Sequence, residues 1–208
     1  MSDSVAFRAY VSPEDHGRAN FYALISRLFA AAPDQALLAA IAGSPPLAAD
    51  DNVEALPMAW SKLIAASTAM DEDAAIEEFE KLFMGVGKAA VNLHASHHLT
   101  GFMMAQPLAD VRSSLAQLGF VRIEMQTMVE DHIAALTEVM RLLIVGGQDV
   151  QPASLAEQRK FFTAHLEPWV ELCCLAVSKS PLANFYAIVA KLTSSFLQVE
   201  RDAFAIDA

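Results

Sequence analysis

Cysteine is nearly absent from this sequence: its 208 residues include two, adjacent at Cys173 and Cys174. Such a pair builds neither a disulfide framework nor a CxxC metal or redox motif, and the expected reading is two small core residues on one helix. Glycine and proline are scarce as well, eight and nine residues, and they cluster between periodic segments. Basic residues are outnumbered, 14 Lys and Arg against 25 Asp and Glu, for a formal charge of −11. A chain of that charge repels nucleic-acid phosphates and anionic lipid surfaces and favours cationic partners. Long apolar runs are missing too. The longest stretch free of Asp, Glu, Lys and Arg, Ala89–Ala109, holds Asn92, His94, His97, His98, Gln106 and Pro107, which a lipid-facing helix would not tolerate, so no stable membrane insertion is expected. Met1-Ser2-Asp3-Ser4 carries no basic region and leads into no apolar h-region, so no export signal is read there and the expected compartment is the cytoplasm.

What is present is apolar material arranged for helices. Hydrophobic residues make up 54% of the chain and the mean hydropathy is +0.32, enough for a core and incompatible with disorder. Ser12-Pro13-Glu14-Asp15 has the composition of a helix start, with a serine N-cap, proline at the first helical position and acids in the first turn. Phe21, Leu24, Ile25 and Leu28 follow at helical spacing, and Pro33 ends the segment. A short helix is expected over 34–42, then a loop over 43–52 and helices over 53–69 and 72–84. The last of these starts at Asp71-Glu72-Asp73, shows Ile76, Phe79, Leu82 and Phe83 as its core face, and stops at Gly85-Val86-Gly87. Further segments are expected at 95–105, 108–118, 130–145, 153–165 and 167–178. A long final helix carries Phe185, Ile188, Val189, Leu192, Phe196 and Val199. Alternating β-branched runs bounded by turns are absent. The fold class that follows is all-α, a single globular helical domain of about eight to ten helices spanning residues 1–208, with candidate hinge loops near 85–92 and 119–129.

Three clusters could carry chemistry. His94-Ala95-Ser96-His97-His98 would place imidazoles on one helical face, the start of a metal site. None of the six histidines follows a glutamate by three positions, and HExxH is absent, so the di-iron and zincin templates fail. Gly85-Val86-Gly87-Lys88 is a poor phosphate loop, because Leu82 stands where the first glycine is needed and Ala89 where the Mg²⁺-binding hydroxyl belongs. Glu130-Asp131-His132 offers two carboxylates beside an imidazole at an expected helix start, able to cap that helix, to do acid–base work, or to receive a cation.

In order along the chain, three segments resemble the TorD/DmsD/NarJ family of redox-enzyme maturation chaperones. Phe79-Glu80-Lys81-Leu82-Phe83-Met84-Gly85 is similar to the family's aromatic-x-x-Leu-Phe-x-Gly segment. Glu130-Asp131-His132, leading into Ile133-Ala134-Ala135-Leu136, is similar to its acidic-x-Asp-His hallmark. Phe161-Phe162, His165-Leu166-x-Pro168-Trp169, Phe185-Tyr186 and Leu192-Thr193 resemble its C-terminal pattern. Where many relatives carry a tyrosine-bearing stretch around a central serine, this chain has His94 to Gly101 around Ser96, and it lacks the proline usual before the hallmark Asp.

The resemblance implies an all-helical cytoplasmic protein that is not an enzyme and holds no cofactor. Such a chaperone binds the twin-arginine leader, the apo form, or both, of a molybdenum-cofactor oxidoreductase and holds it until cofactor insertion precedes export. The motif spacing is closest to members serving formate-dehydrogenase-type enzymes. The resemblance also implies a peptide-binding site of Phe79, Leu82, Phe83, Glu130, Asp131 and His132, with the acids as a rim for arginine and the apolar residues as a groove. Its members are monomers or domain-swapped homodimers. The competing expectation is a metal-binding sensor or enzyme built on His94, His97 and His98. Guanine-nucleotide binding, proposed for parts of the family, finds no phosphate-loop support here.

Overall fold

The computed structural model describes residues 11–48, 55–85, 89–120, 128–147 and 150–206. The N-terminal ten residues and the Val86-Gly87-Lys88 part of the phosphate-loop comparison lie outside them. So do parts of both candidate hinges, residues 86–88 and 121–127. The described residues form ten α-helices and one π-helical turn, and no strand beyond an isolated antiparallel bridge between His94 and His132. In chain order the helices are α1 (Pro13–Ala30), α2 (Gln35–Ala42), α3 (Ala55–Ala69) and α4 (Glu72–Phe79), the last running into the π-turn (Glu80–Met84). Then follow α5 (Ala95–Thr100), α6 (Gln106–Gln117), α7 (Ile133–Val145), α8 (Leu155–His165), α9 (Val170–Lys179) and α10 (Phe185–Ile206). The all-α expectation therefore holds, with most helices within a few residues of the positions their periodicity indicates.

Local chemistry sets most boundaries. The Ser12 hydroxyl accepts the Asp15 N–H at 3.0 Å, the Asp71 carboxylate accepts the Ala74 N–H at 2.9 Å, and Ser154 with Glu157 forms a complete capping box on α8. Packing then does what periodicity prepared. The most extensive helix pair is α1 with α7, and α10 lies against both α3 and α9. Between them sit Tyr22, Ile25, Leu28, Ile133, Leu136, Met140, Trp169, Val189 and Leu192, all inaccessible or nearly so. Cys173 and Cys174 are free and buried in the same core. Burial pushes both thiols up, Cys174 to about 12, which removes the thiolate that reactivity needs.

Two expectations for the 72–84 segment need correction. It is not one α-helix: the Gly85 N–H reaches back to the Glu80 carbonyl at 2.9 Å, an i→i+5 bond that inserts an extra residue into the last turn. Nor does Ile76 face the core; it is 37% exposed, while Ala75, Glu78, Phe79 and Leu82 point inward. Glu78 explains the rotation. Its carboxylate accepts the N–H groups of Asn184, Phe185 and Tyr186 at 2.8, 3.0 and 2.8 Å, satisfying the otherwise orphaned first turn of α10. A buried acid at that position takes the inward place that hydropathy assigns to Ile76.

A second buried charge ties the ends of the described chain together. Glu200 on α10, 1% exposed, accepts Arg18 Nε at 2.8 Å and Nη2 at 2.9 Å, and the Tyr22 hydroxyl at 3.0 Å. Arg18 also lies over the Phe204 ring. The pairing satisfies both carboxylate oxygens, the condition under which a buried charge is tolerated.

Candidate functional site

Two of the three chemically suggestive clusters meet in space. The Ala95 N–H donates to the Asp131 carbonyl and the Ile133 N–H to the Leu93 carbonyl, both at 2.9 Å, forming the single bridge that crosses residues 93–95 over 131–133. The rings of His94 and His132 stack edge to face across it, centroids 4.9 Å apart. Sequence alone does not show this encounter, because the two segments are separated by α6.

Asp131 is the fastener. It is 1% exposed, and its Oδ2 accepts the Ser96 N–H at 2.9 Å together with a very short bond from the Ser96 hydroxyl. Ser96 is itself fully buried at the start of α5. The other carboxylate oxygen has no hydrogen-bond partner among the described residues. An acidic rim open to solvent is therefore not what Asp131 provides: its charge is turned inward, where the first turn of α5 supplies the donors. Glu130 lies nearer the surface and is gripped by Arg112 of α6, Nε at 3.1 Å and Nη2 at 3.0 Å. The expected helix start at 130 moves to Ile133, because Asp131 and His132 belong to the crossing.

His132, His94 and His98 are committed to the same framework. His132 caps α7, its Nδ1 accepting the Ala134 N–H at 3.1 Å, so its proton sits on Nε2. Burial, with neighbouring His94 adding to it and Asp131 opposing it, pushes His132 down to about 4. His94 lies outside α5, at its N-cap, and its Nδ1–H donates to Asn92 Oδ1 at 3.0 Å. His98 donates through Nε2 to the Asn92 carbonyl at 2.7 Å and stacks on Trp169 with centroids 5.5 Å apart. Burial lowers the pKa of both rings. His94 thus stands at the N-cap while His97 and His98, their ring centroids 5.6 Å apart, lie within α5, and among the described residues no three His, Cys, Asp or Glu side chains are arranged to hold a metal ion.

Phe79, Leu82 and Phe83 lie elsewhere. Phe79 and Phe83 make an aromatic cluster with Phe29 and Tyr186, centroids 5.0–6.2 Å apart. Leu82 is inaccessible and Phe79 8% exposed; only Phe83 is half-buried. A link to the crossing runs through the backbone, the Val91 N–H donating to the Leu82 carbonyl at 2.9 Å. Two of the three expected groove residues are thus core, and apolar surface is displayed at another place. Leu99, Phe102, Met103 and Met104, in and after α5, are large apolar side chains left in solvent. They fall inside the charge-free stretch Ala89–Ala109.

A family model described as nitrate reductase delta subunit matches residues 49–175, more than half of the chain and the whole of the crossing. The chain belongs to that family, of the NarJ/TorD chaperone type. Among solved structures, this member is similar to a crystal structure described as a candidate redox enzyme maturation protein from Archaeoglobus fulgidus. The TM-score is 0.60 at 16% identity, over 94% of this chain and 99% of that one. At that identity the likeness speaks for the shared helical fold. The curated proteins contain no match to the sequence. Among the described residues of this family member, no helix is long and apolar enough to cross a membrane.

Proposed function

We propose that this member of the family is a cytoplasmic, non-catalytic chaperone that binds the twin-arginine leader, the apo form, or both, of a molybdenum-cofactor oxidoreductase, with a formate-dehydrogenase-type enzyme as the first client to test. One observation carries the reading. The crossing of residues 93–95 and 131–133, whose second arm is the segment that resembles the family's hallmark, holds α5 in place by a buried carboxylate, and the chain leaving α5 displays exposed apolar side chains on a protein of charge −11. A leader has the complementary form, paired guanidinium groups followed by an apolar run.

Magnitudes divide the labour. An exposed ion pair contributes about 0.2–1 kcal/mol. Covering on the order of 400 Å² of apolar surface contributes about 10 kcal/mol at 25 cal/mol/Å². Ordering a flexible leader opposes this by about 2–5 kcal/mol, and lost translational freedom opposes it further. At most about 8 kcal/mol is left before the translational cost, so binding is no tighter than micromolar. Apolar contact supplies the affinity, while the general acidity of the chain favours a cationic partner and speeds encounter. Asp131 and His132 act as positioning residues, one holding α5 and the other capping α7.

Isothermal titration with the leader of a molybdoenzyme encoded beside this gene, against a twin-lysine version of the same peptide, tests the reading. Saturable micromolar binding that weakens with lysine is expected. If neither the leader nor the full-length apo client associates, the reading fails.

A further inference from the structure

The turn between α5 and α6 is built to keep its apolar side chains out. Leu99 and Met103 are each 43% exposed, Phe102 73% and Met104 72%. Gly101 takes a left-handed conformation, φ 81°, to end α5, and Met104 adopts φ 55°, a region that non-glycine residues seldom enter. The Thr100 hydroxyl braces the turn from both sides, donating to the Ser96 carbonyl at 2.7 Å and accepting the Phe102 N–H at 3.2 Å. Asn92 Nδ2, from the crossing, donates to the Met103 sulfur at 3.3 Å. A loop held by this many local bonds presents Phe102 and Met104 to solvent in a fixed arrangement.

The size of the display selects among occupants. Four side chains exposed to these extents offer about 400 Å² of apolar surface. A stable contact with a second copy of the chain, or with a folded enzyme body, buries about 800 Å² on each partner. The turn supplies about half of that, and it matches the footprint of a short apolar segment. Charge narrows the choice again, since a chain of −11 favours a segment with a cationic end. Methionine adds tolerance of varied apolar sequence, because its unbranched side chain adapts to what it meets.

We infer that the 99–104 turn seats the apolar run of the client's leader, behind its paired arginines, with Phe102 and Met104 as the anchors. The inference rests on the leader-binding reading above and adds which part of the client is held and by which residues.

The test titrates the full chain with two synthetic peptides: one with two arginines followed by an apolar run, and one that keeps the arginines but has serine in place of the run. The proteins are wild type, Phe102→Ser and Met104→Ser. Because both side chains are exposed, the variants should melt with the wild type. Wild type should bind the first peptide saturably and the second at least tenfold more weakly. Phe102→Ser should weaken the first about tenfold, consistent with losing a buried aromatic anchor. Undiminished binding by both variants would overturn the inference while leaving leader binding itself intact. A dimer in sedimentation that Phe102→Ser dissociates would assign the turn to a second copy instead. Failure of the wild type to bind either peptide would remove the leader reading along with the inference.

Discussion

Replacing Glu78 by glutamine is the sharpest test of how α10 is held. The wild-type carboxylate accepts three backbone N–H groups at 2.8–3.0 Å, those of Asn184 and Tyr186 on Oε1 and that of Phe185 on Oε2. Glutamine keeps one oxygen and turns an NH₂ toward the remaining donor. A buried N–H left without an acceptor costs about 1–3 kcal/mol. Removing negative charge from a helix N-terminus costs a further 0.3–2 kcal/mol or so. The expected loss is therefore about 2–4 kcal/mol for Glu78→Gln, and about 3–5 kcal/mol for Glu78→Ala, where all three donors lose their partner. Urea unfolding should show a lower midpoint with an unchanged slope. A thermal scan should show a fall of about 5–10 °C, given about 2–4 °C per kcal/mol for a domain of this size. The neighbouring Glu77→Gln is the control. Its side chain is 65% exposed and, among the described residues, pairs with Lys81 on the same helical face, so its cost should be within about 0.5 kcal/mol. Equal effects of the two substitutions would refute the reasoning, because they would mean that the three hydrogen bonds to α10 add nothing beyond an exposed ion pair.

His132 should make the protein acid-sensitive. Its pKa is depressed from 6.5 to about 4 in the folded state, so the unfolded chain binds the proton first as pH falls. The associated stability is whole above about 6.5 and is lost between there and about 4, by up to about 3 kcal/mol. His132→Asn keeps an N-cap acceptor without a titrating group, so urea midpoints at pH 7 and pH 5 should differ less for the variant than for the wild type. Asp131→Asn can keep both bonds from Ser96 and should cost about 1–2 kcal/mol, while Asp131→Ala strands the buried Ser96 donors and should cost about 3–5 kcal/mol by chemical unfolding. Because Asp131 is turned inward, Asp131→Asn should leave leader affinity within about twofold, whereas Glu130→Gln should slow association at low salt and have little effect at high salt. Stopped-flow or titration at two salt concentrations reads the difference.

The helices themselves were legible in the residues. Caps such as Ser12, Asp71 and Ser154 act within one turn of themselves, and the 3.6-residue apolar spacing of α1, α7 and α10 describes a face whatever lies opposite. The burial of both cysteines follows from the same local logic, and so do the family motifs, which are linear strings. What the tertiary structure decided are the places where distant chain segments compete for one position. Ile76 gave way to Glu78 because the first turn of α10, more than a hundred residues away, needs an acceptor. Asp131 went inward because Ser96 offers two donors there, and His94 stands at the N-cap of α5 rather than within the helix because His132 and Asn92 hold it at the bridge. Phe102 and Met104 stayed outside for the opposite reason: their turn is closed by its own hydroxyl and backbone bonds, and among the described residues no other helix covers it. Hydropathy records that a side chain prefers to leave water. Only the fold determines whether another part of the same chain is near enough to cover it.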